Sequence, residues 1–251
     1  MLELTPAFFA IAAPAVLFAG VSKGGFGSGA AFASASILAL IIEPGAALGL
    51  MLPLLMLIDL VTLRPYWRRW SWPDARVLIL GGVPGVGLGF ALFRVADADL
   101  LRLLIGVFSL GFVAWHYGRQ SGAIRSFAHR LPLWAGLLAG VAAGFTSFVS
   151  HAGGPPAAFY LLSQNIGKTT YQASTVLVFW AINIAKFIPY AFLGLFTLET
   201  ALADLILAPF ALIGAWLGVR AHNAIPEAAF FALTYVLLSL TGAKLIWDAL
   251  S

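Results

Sequence analysis

The sequence predicts an all-α polytopic membrane protein made of two inverted repeats. Each repeat is a broken or re-entrant helical hairpin followed by three transmembrane helices. Three observations carry this prediction. The 251 residues are 61% hydrophobic and only 10% charged, with a mean hydropathy of +0.97, whereas a soluble domain carries about 25% charged residues. Ten apolar segments follow one another, near 7–21, 28–42, 45–63, 76–93, 100–117, 133–149, 154–163, 171–194, 200–219 and 228–247. Two junctions between them, 20–27 and 144–156, are rich in glycine and hydroxyl side chains, and each holds one ionisable group, Lys23 or His151.

The junctions organise the rest. Interrupting a membrane helix frees backbone N–H and C=O groups that lipid cannot satisfy, so a break survives only inside protein or beside a polar cavity. Paired breaks in corresponding positions of two halves point to a transporter's substrate site. A full span needs about 20 apolar residues. The segments flanking the first break fall short of that, and 154–163, rising roughly 15 Å, covers about half a hydrocarbon core. Two re-entrant hairpins are therefore expected, with two complete spans joined by a tight loop as the alternative.

The remaining segments, 45–63, 76–93 and 100–117 in the first half and 171–194, 200–219 and 228–247 in the second, read as ordinary spans. Counting alternately through them puts Arg64, Arg68, Arg69, Arg76, Arg119, Arg125, Arg130, Lys168 and Arg220 on one side. Arg94, Arg102 and Lys244 fall on the other, with Glu43, Asp97, Asp99 and Glu199. Basic loops stay cytoplasmic, which places both termini outside a bacterial-type inner membrane. Trp67, Trp70, Trp72, Trp115, Trp134 and Tyr171 gather at the inner interface, as an aromatic belt does.

The halves, 1–117 and 132–251, flank a polar, basic linker at 118–131. Ala19-Gly20-Val21 and Gly24 match Ala139-Gly140-Val141 and Gly144. Ile58-Asp59 with Pro65-Tyr66 matches Ile182-Asn183 with Pro189-Tyr190, and Gly85 and Gly89 match Gly214 and Gly218. Each half makes an odd number of crossings, so tandem units sit upside down relative to each other.

Composition also excludes. No cysteine means no disulfide, thiolate metal site or cysteine nucleophile. The net charge of +4 resides in short loops, which speaks against nucleic acid and for a lipid bilayer as the partner. The N-terminus lacks a basic leader, so no cleavable signal peptide is expected. No cofactor or metal is expected, and an intramembrane enzyme lacks a nucleophile–base–carboxylate set.

Several polar residues are candidates for contact with a small anionic substrate. Lys23 is a deep cation if the hairpin is re-entrant, or a loop lysine reaching the cytoplasm. His151 is an anion contact, a proton-coupling imidazole or a structural histidine. Ser22, Gly24, Gly25, Thr146, Ser147 and Ser150 offer hydroxyls or bare backbone, though membrane helices often use hydroxyls on their own carbonyls. Helix starts at Ser28 and near Gly153 and Gly154 would aim free N–H groups at a cavity. The glycines at 136, 140 and 144 form a stripe suited to close helix packing. Asn183 and Lys186 lie within the long 171–194 segment, where snorkelling by Lys186 would be strained. Asp59 reads either as the partner of Arg64, five residues on, or as a cation or proton site. Gln172 joins His151 and Asp59 as a coupling or gating candidate.

The run Gly144-Phe145-Thr146-Ser147-Phe148-Val149-Ser150-His151-Ala152-Gly153-Gly154-Pro155-Pro156, followed by Lys168-Thr169 and by Asn183, Lys186 and Pro189-Tyr190, resembles the sulfite exporter TauE/SafE family. The looser match is Lys23-Gly24-Gly25-Phe26-Gly27. The resemblance implies an inner-membrane exporter of sulfite or small organosulfonates. Combined with the breaks, it predicts a secondary transporter working by alternating access, with proton coupling through His151 as its extension. An anion channel, or a carrier for a different small organic anion, is the alternative.

Overall fold

The computed structural model describes residues 4–27, 31–122, 130–222 and 227–251. Ser28, proposed as a helix start, and Arg125 and His129 of the linker lie outside the described residues. Ten α-helices follow in order: α1 (Pro6–Val21), α2 (Phe32–Leu38), α3 (Pro44–Leu63), α4 (Trp72–Phe93), α5 (Ala98–Gln120), α6 (Leu133–Ser150), α7 (Gly154–Ser163), α8 (Lys168–Phe192), α9 (Leu198–Ala221) and α10 (Glu227–Leu250). No strand occurs among the described residues. Among the described residues, eight helical stretches are long and apolar enough to cross a membrane, so the chain is a multi-pass membrane protein. The exceptions, α2 with 7 residues and α7 with 10, rise only about 10 and 15 Å.

Helix starts follow local chemistry. Thr5 caps α1 by accepting from the Phe8 N–H at 3.2 Å. Proline stands in the first two positions of α1, α3, α4 and α7, where a missing N–H costs nothing. Thr197 and Thr200 cap α9 reciprocally.

The first break differs from the interruption expected at 20–27. Helix α1 does not stop there; it widens into a π-helical turn over Ser22–Phe26 and leaves the helix at Gly27, whose φ is +86°. Residues 6–26 thus form one continuous span. The second break is sharper. Helix α6 ends at His151, which is left-handed at φ +57°. The N–H groups of His151 and Ala152 return to the carbonyls of Ser147 and Thr146, a Schellman-type end built without the usual glycine.

Glycine sets the tightest packing. Helix α6 lies on α4 through Gly140 and Gly144 against Gly81, Gly82 and Gly85, and α1 lies on α9 through Gly20 and Gly24 against Gly214 and Gly218. A methyl group at Gly85 would sit 2.1 Å from the Val141 carbonyl oxygen, and one at Gly214 would sit 2.3 Å from that of Leu17. The stripe on α6 is therefore a packing face: Gly140 and Gly144 meet the α4 backbone, and Gly136 meets the Tyr160 and Val77 side chains. Of the two largest apolar cores, one joins α1, α2, α3 and α9 with one residue each from α5 and α10, and the other joins α3, α4, α6, α7 and α8. Helix α3 belongs to both, so its polar residues enter the middle of the molecule.

Candidate functional site

Asp59 is that entry point. It lies in the last turns of α3, fully buried. The expected helical pair with Arg64 does not form: the Lys23 ammonium sits 2.6 Å from Asp59 Oδ1, and Asn183 Nδ2 donates to Oδ2 at 2.8 Å. Arg64, just beyond the helix end, lies exposed on the protein surface, whereas a buried carboxylate needs charge and donors beside it. Lys23 retains only 3% exposure, so it is a deep cation and not a loop lysine.

Asn183 and Lys186 are three residues apart on α8 and face the same way. Lys186 has no exposed surface and does not snorkel. Its Nζ donates to the Ser147 carbonyl at 2.9 Å, to Ser147 Oγ at 3.2 Å and to His151 Nδ1 at 2.7 Å. The other imidazole nitrogen, Nε2, stands 3.1 Å from the Leu48 carbonyl. A carbonyl only accepts, so Nε2 carries the hydrogen and Nδ1 is the lone pair facing Lys186. The carbonyl and Nδ1 both accept from this nitrogen, and the Ser147 hydroxyl completes its surroundings.

The formal charge follows. Lys23 and Asp59 sum to zero whichever of them holds the proton. His151 is neutral in this tautomer, Asn183 and Ser147 are neutral, and Lys186 has no carboxylate of its own. Counted with both lysines protonated and Asp59 ionised, the buried side chains sum to +1. The cluster borders a small cavity of about 10 Å³ lined by Lys23, Ala31, Leu55, Ser147, His151, Phe179 and Asn183, room for roughly one water. Lys186 stands behind that wall, holding Ser147 and His151 in place. A second cavity, about 770 Å³, opens among the ends of α1, α3 and α9, with Thr5, Glu43, Gly45, Thr197, Glu199 and Thr200 on its walls.

The carbonyls freed by each break are held by side chains. At the first, Gln172 Nε2 donates to the Lys23 oxygen at 2.6 Å, Tyr66 Oη–H to that of Gly24 at 2.7 Å and His222 Nδ1–H to that of Gly25 at 2.7 Å. Ser22 Oγ donates to the Gly27 oxygen at 3.1 Å. At the second, Tyr190 Oη–H donates to the Phe148 oxygen at 2.5 Å, and Thr146 Oγ1 donates to that of Ala152 at 3.1 Å.

Of the residues singled out in the sequence, Lys23, Asp59, Ser147, His151, Asn183 and Lys186 come together. The others serve the backbone. Ser150 donates to the Thr146 carbonyl. Gly24 and Gly25 press on α9, where an added methyl group would lie 2.6 and 2.3 Å from the Ala215 and Gly218 oxygens. Gly153 is packed against Ala143, Ser147 and Phe179, and neither it nor Gly154 lines the small cavity. Sequence reasoning passes over His222, which sits at a segment end yet is buried at 4% exposure. It also passes over the Leu48 carbonyl, since a backbone acceptor leaves no mark in a sequence. Tyr66 and Tyr190 enter it only as markers of the repeat.

No curated protein and no solved structure matches the chain. The profile of the sulfite exporter TauE/SafE family matches residues 12–245, a stretch containing the whole charged cluster and both breaks. With nearly the full length matched and eight membrane-spanning helices around the cluster, the chain belongs to the sulfite exporter TauE/SafE family of membrane transporters.

Proposed function

We propose that the protein exports a small sulfur-containing anion, sulfite or an organosulfonate, across the inner membrane by alternating access. The observation that carries this reading is Lys186: a fully buried ammonium, met only by neutral acceptors, beside a carboxylate already engaged by Lys23. Buried cations are costly in a membrane protein and mark anion paths. A passing anion removes that cost, with Lys23, Ser147, His151 and Asn183 at the cavity wall and Lys186 behind them.

The halves 1–117 and 132–251 act as inverted repeats around this cluster, joined by a cytoplasmic linker at 118–131, with both termini periplasmic. Paired contacts support the repeat. Asp59 and Asn183 bond each other across the centre. Tyr66 holds Gly24 as Tyr190 holds Phe148, and positive φ falls at Gly27 and at His151. All four pairings run at the same offset of 124 residues, which sets Gly24 opposite Phe148 rather than opposite Gly144, its match in the sequence. Helix α1 packs on α9 as α6 packs on α4, each pair joining opposite halves. The short α2 and α7 serve as the returning arms of re-entrant hairpins, and the larger cavity is the outer vestibule. Rocking of the repeats opens the small cavity to each face in turn.

His151 serves here as a neutral acceptor. Charging it would set an imidazolium 2.7 Å from the Lys186 nitrogen, so this reading needs no proton step through His151. Proteoliposomes loaded with sulfite or methanesulfonate test the proposal. Saturable efflux with counterflow is expected. Indifference to both anions by folded protein rejects the cargo class, and unitary currents replace the carrier with a channel.

A further inference from the structure

The two central positions, Asp59 on α3 and Asn183 on α8, are a hydrogen-bonded pair in which one member is a carboxylate and the other its uncharged amide counterpart. This difference sets the charge of the whole cluster. With two carboxylates the lysines would be balanced, and with two amides the cluster would carry two positive charges. The observed mixture leaves one. From this we infer that Asp59 is a specificity-determining residue that selects monoanionic cargo over dianionic cargo of the same size, a deepening that rests on the transport reading above.

The argument is electrostatic and local. All the ionisable groups of the cluster are almost wholly buried: Lys23 at 3% exposure, Asp59 and Lys186 at 0%, His151 at 6%. In so dry a site a unit charge is felt strongly and salt screens it little. A monoanion seated beside Ser147, His151 and Asn183 brings the occupied cluster to zero. A dianion leaves an uncompensated negative charge in the protein interior, which is penalised as any unpaired buried charge is. The Lys23–Asp59 pair contributes nothing to this sum wherever its proton resides, so the count depends on which side chains are present and not on how the pair shares a proton.

Methanesulfonate and sulfate are suitable probes. Both are tetrahedral sulfur oxyanions of similar size, and they differ by one charge at neutral pH. Initial counterflow rates of each are measured in proteoliposomes of the full chain, and their ratio is the readout. The wild-type protein is expected to favour methanesulfonate. Asp59→Asn leaves Lys23 as a second unpaired lysine, which adds one positive charge when protonated, and is expected to move the ratio toward sulfate by about tenfold or more. The double substitution Lys23→Met with Asp59→Asn restores the count and is expected to return the ratio toward the wild-type value. Because it removes both members of a buried pair, it also avoids the stranded ammonium that could keep Asp59→Asn from folding.

A ratio unmoved by Asp59→Asn, or a double variant that favours sulfate, overturns the inference while leaving anion transport intact. Wild-type protein that moves neither methanesulfonate, sulfate nor sulfite overturns the transport reading and the inference with it.

Discussion

The two breaks meet the same need, holding freed carbonyls in a dry interior, with opposite placements of charge. At the first, side chains from three other places hold the π-helical turn: Gln172 from α8, Tyr66 from beyond α3 and His222 from the end of α9. The break's own cation, Lys23, is turned toward Asp59. At the second, the holding group is itself a cation, Lys186, and its partners are the carbonyl, hydroxyl and imidazole of the break. One break is balanced and the other is not. Charge is thus where the two breaks differ, while side-chain support of the backbone carbonyls is what they share.

The largest expected effect strikes the unbalanced side. Lys186→Met removes the uncompensated charge and is expected to lower anion efflux by about 100-fold or more, the scale of a lost buried charge contact. The protein should still be recovered folded by size-exclusion chromatography. Efflux near wild type would show that the charge excess is not what draws cargo.

Next come the balanced partners. Asp59→Ala strands Lys23 and is expected to destabilise by about 3–5 kcal/mol, whereas Asn183→Ala removes one hydrogen bond to a charged group, about 1.5–3 kcal/mol. Thermal unfolding in detergent should rank Asp59→Ala well below Asn183→Ala; the reverse order would mean that Arg64 or water takes over from Asp59.

The packing seams answer to glycine substitution. Gly85→Ala and Gly214→Ala each push a methyl group into a facing backbone carbonyl and are expected to cost about 1–3 kcal/mol. Gly87, on the same helix as Gly85, has nothing within 4 Å of an added methyl, so Gly87→Ala should be neutral or stabilise by up to about 1 kcal/mol. Unfolding curves that fail to separate Gly85→Ala from Gly87→Ala would contradict the close helix contact.

The smallest effects sharpen the likeness. Tyr66→Phe and Tyr190→Phe each delete one hydroxyl that holds a break carbonyl. Each is expected to cost about 1–3 kcal/mol by leaving a buried acceptor unpaired. If hydrogen exchange shows opening at residues 22–27 for the first and at 146–152 for the second, the two latches are independent.

Much of this is legible in the chain itself. Apolar runs and punctuation place ten helices near their observed positions, because segment hydrophobicity and helix-start residues act locally. Lys23 and His151 stand out for the same reason: an ionisable group amid glycines in an apolar stretch is conspicuous wherever the chain later goes. The partners are not legible. Arg64 is five residues from Asp59 and is its natural mate in sequence, but a helix that ends at the surface leaves Arg64 in water while Asp59 stays inside. Lys23, 36 residues earlier, takes the carboxylate instead. Thr146 and Ser150 have the chemistry of anion ligands, yet a helix end offers its own unpaired carbonyls first, at shorter range than any cargo.

By itself, then, the sequence determined that the protein lives in lipid, where its helices run and where two of them break. These follow from solvent transfer and backbone hydrogen bonding, which each segment obeys on its own. Only the tertiary structure decided that Asp59 neutralises Lys23 and that Lys186 remains uncompensated, because the pairing of buried charges depends on which helices meet and at what depth.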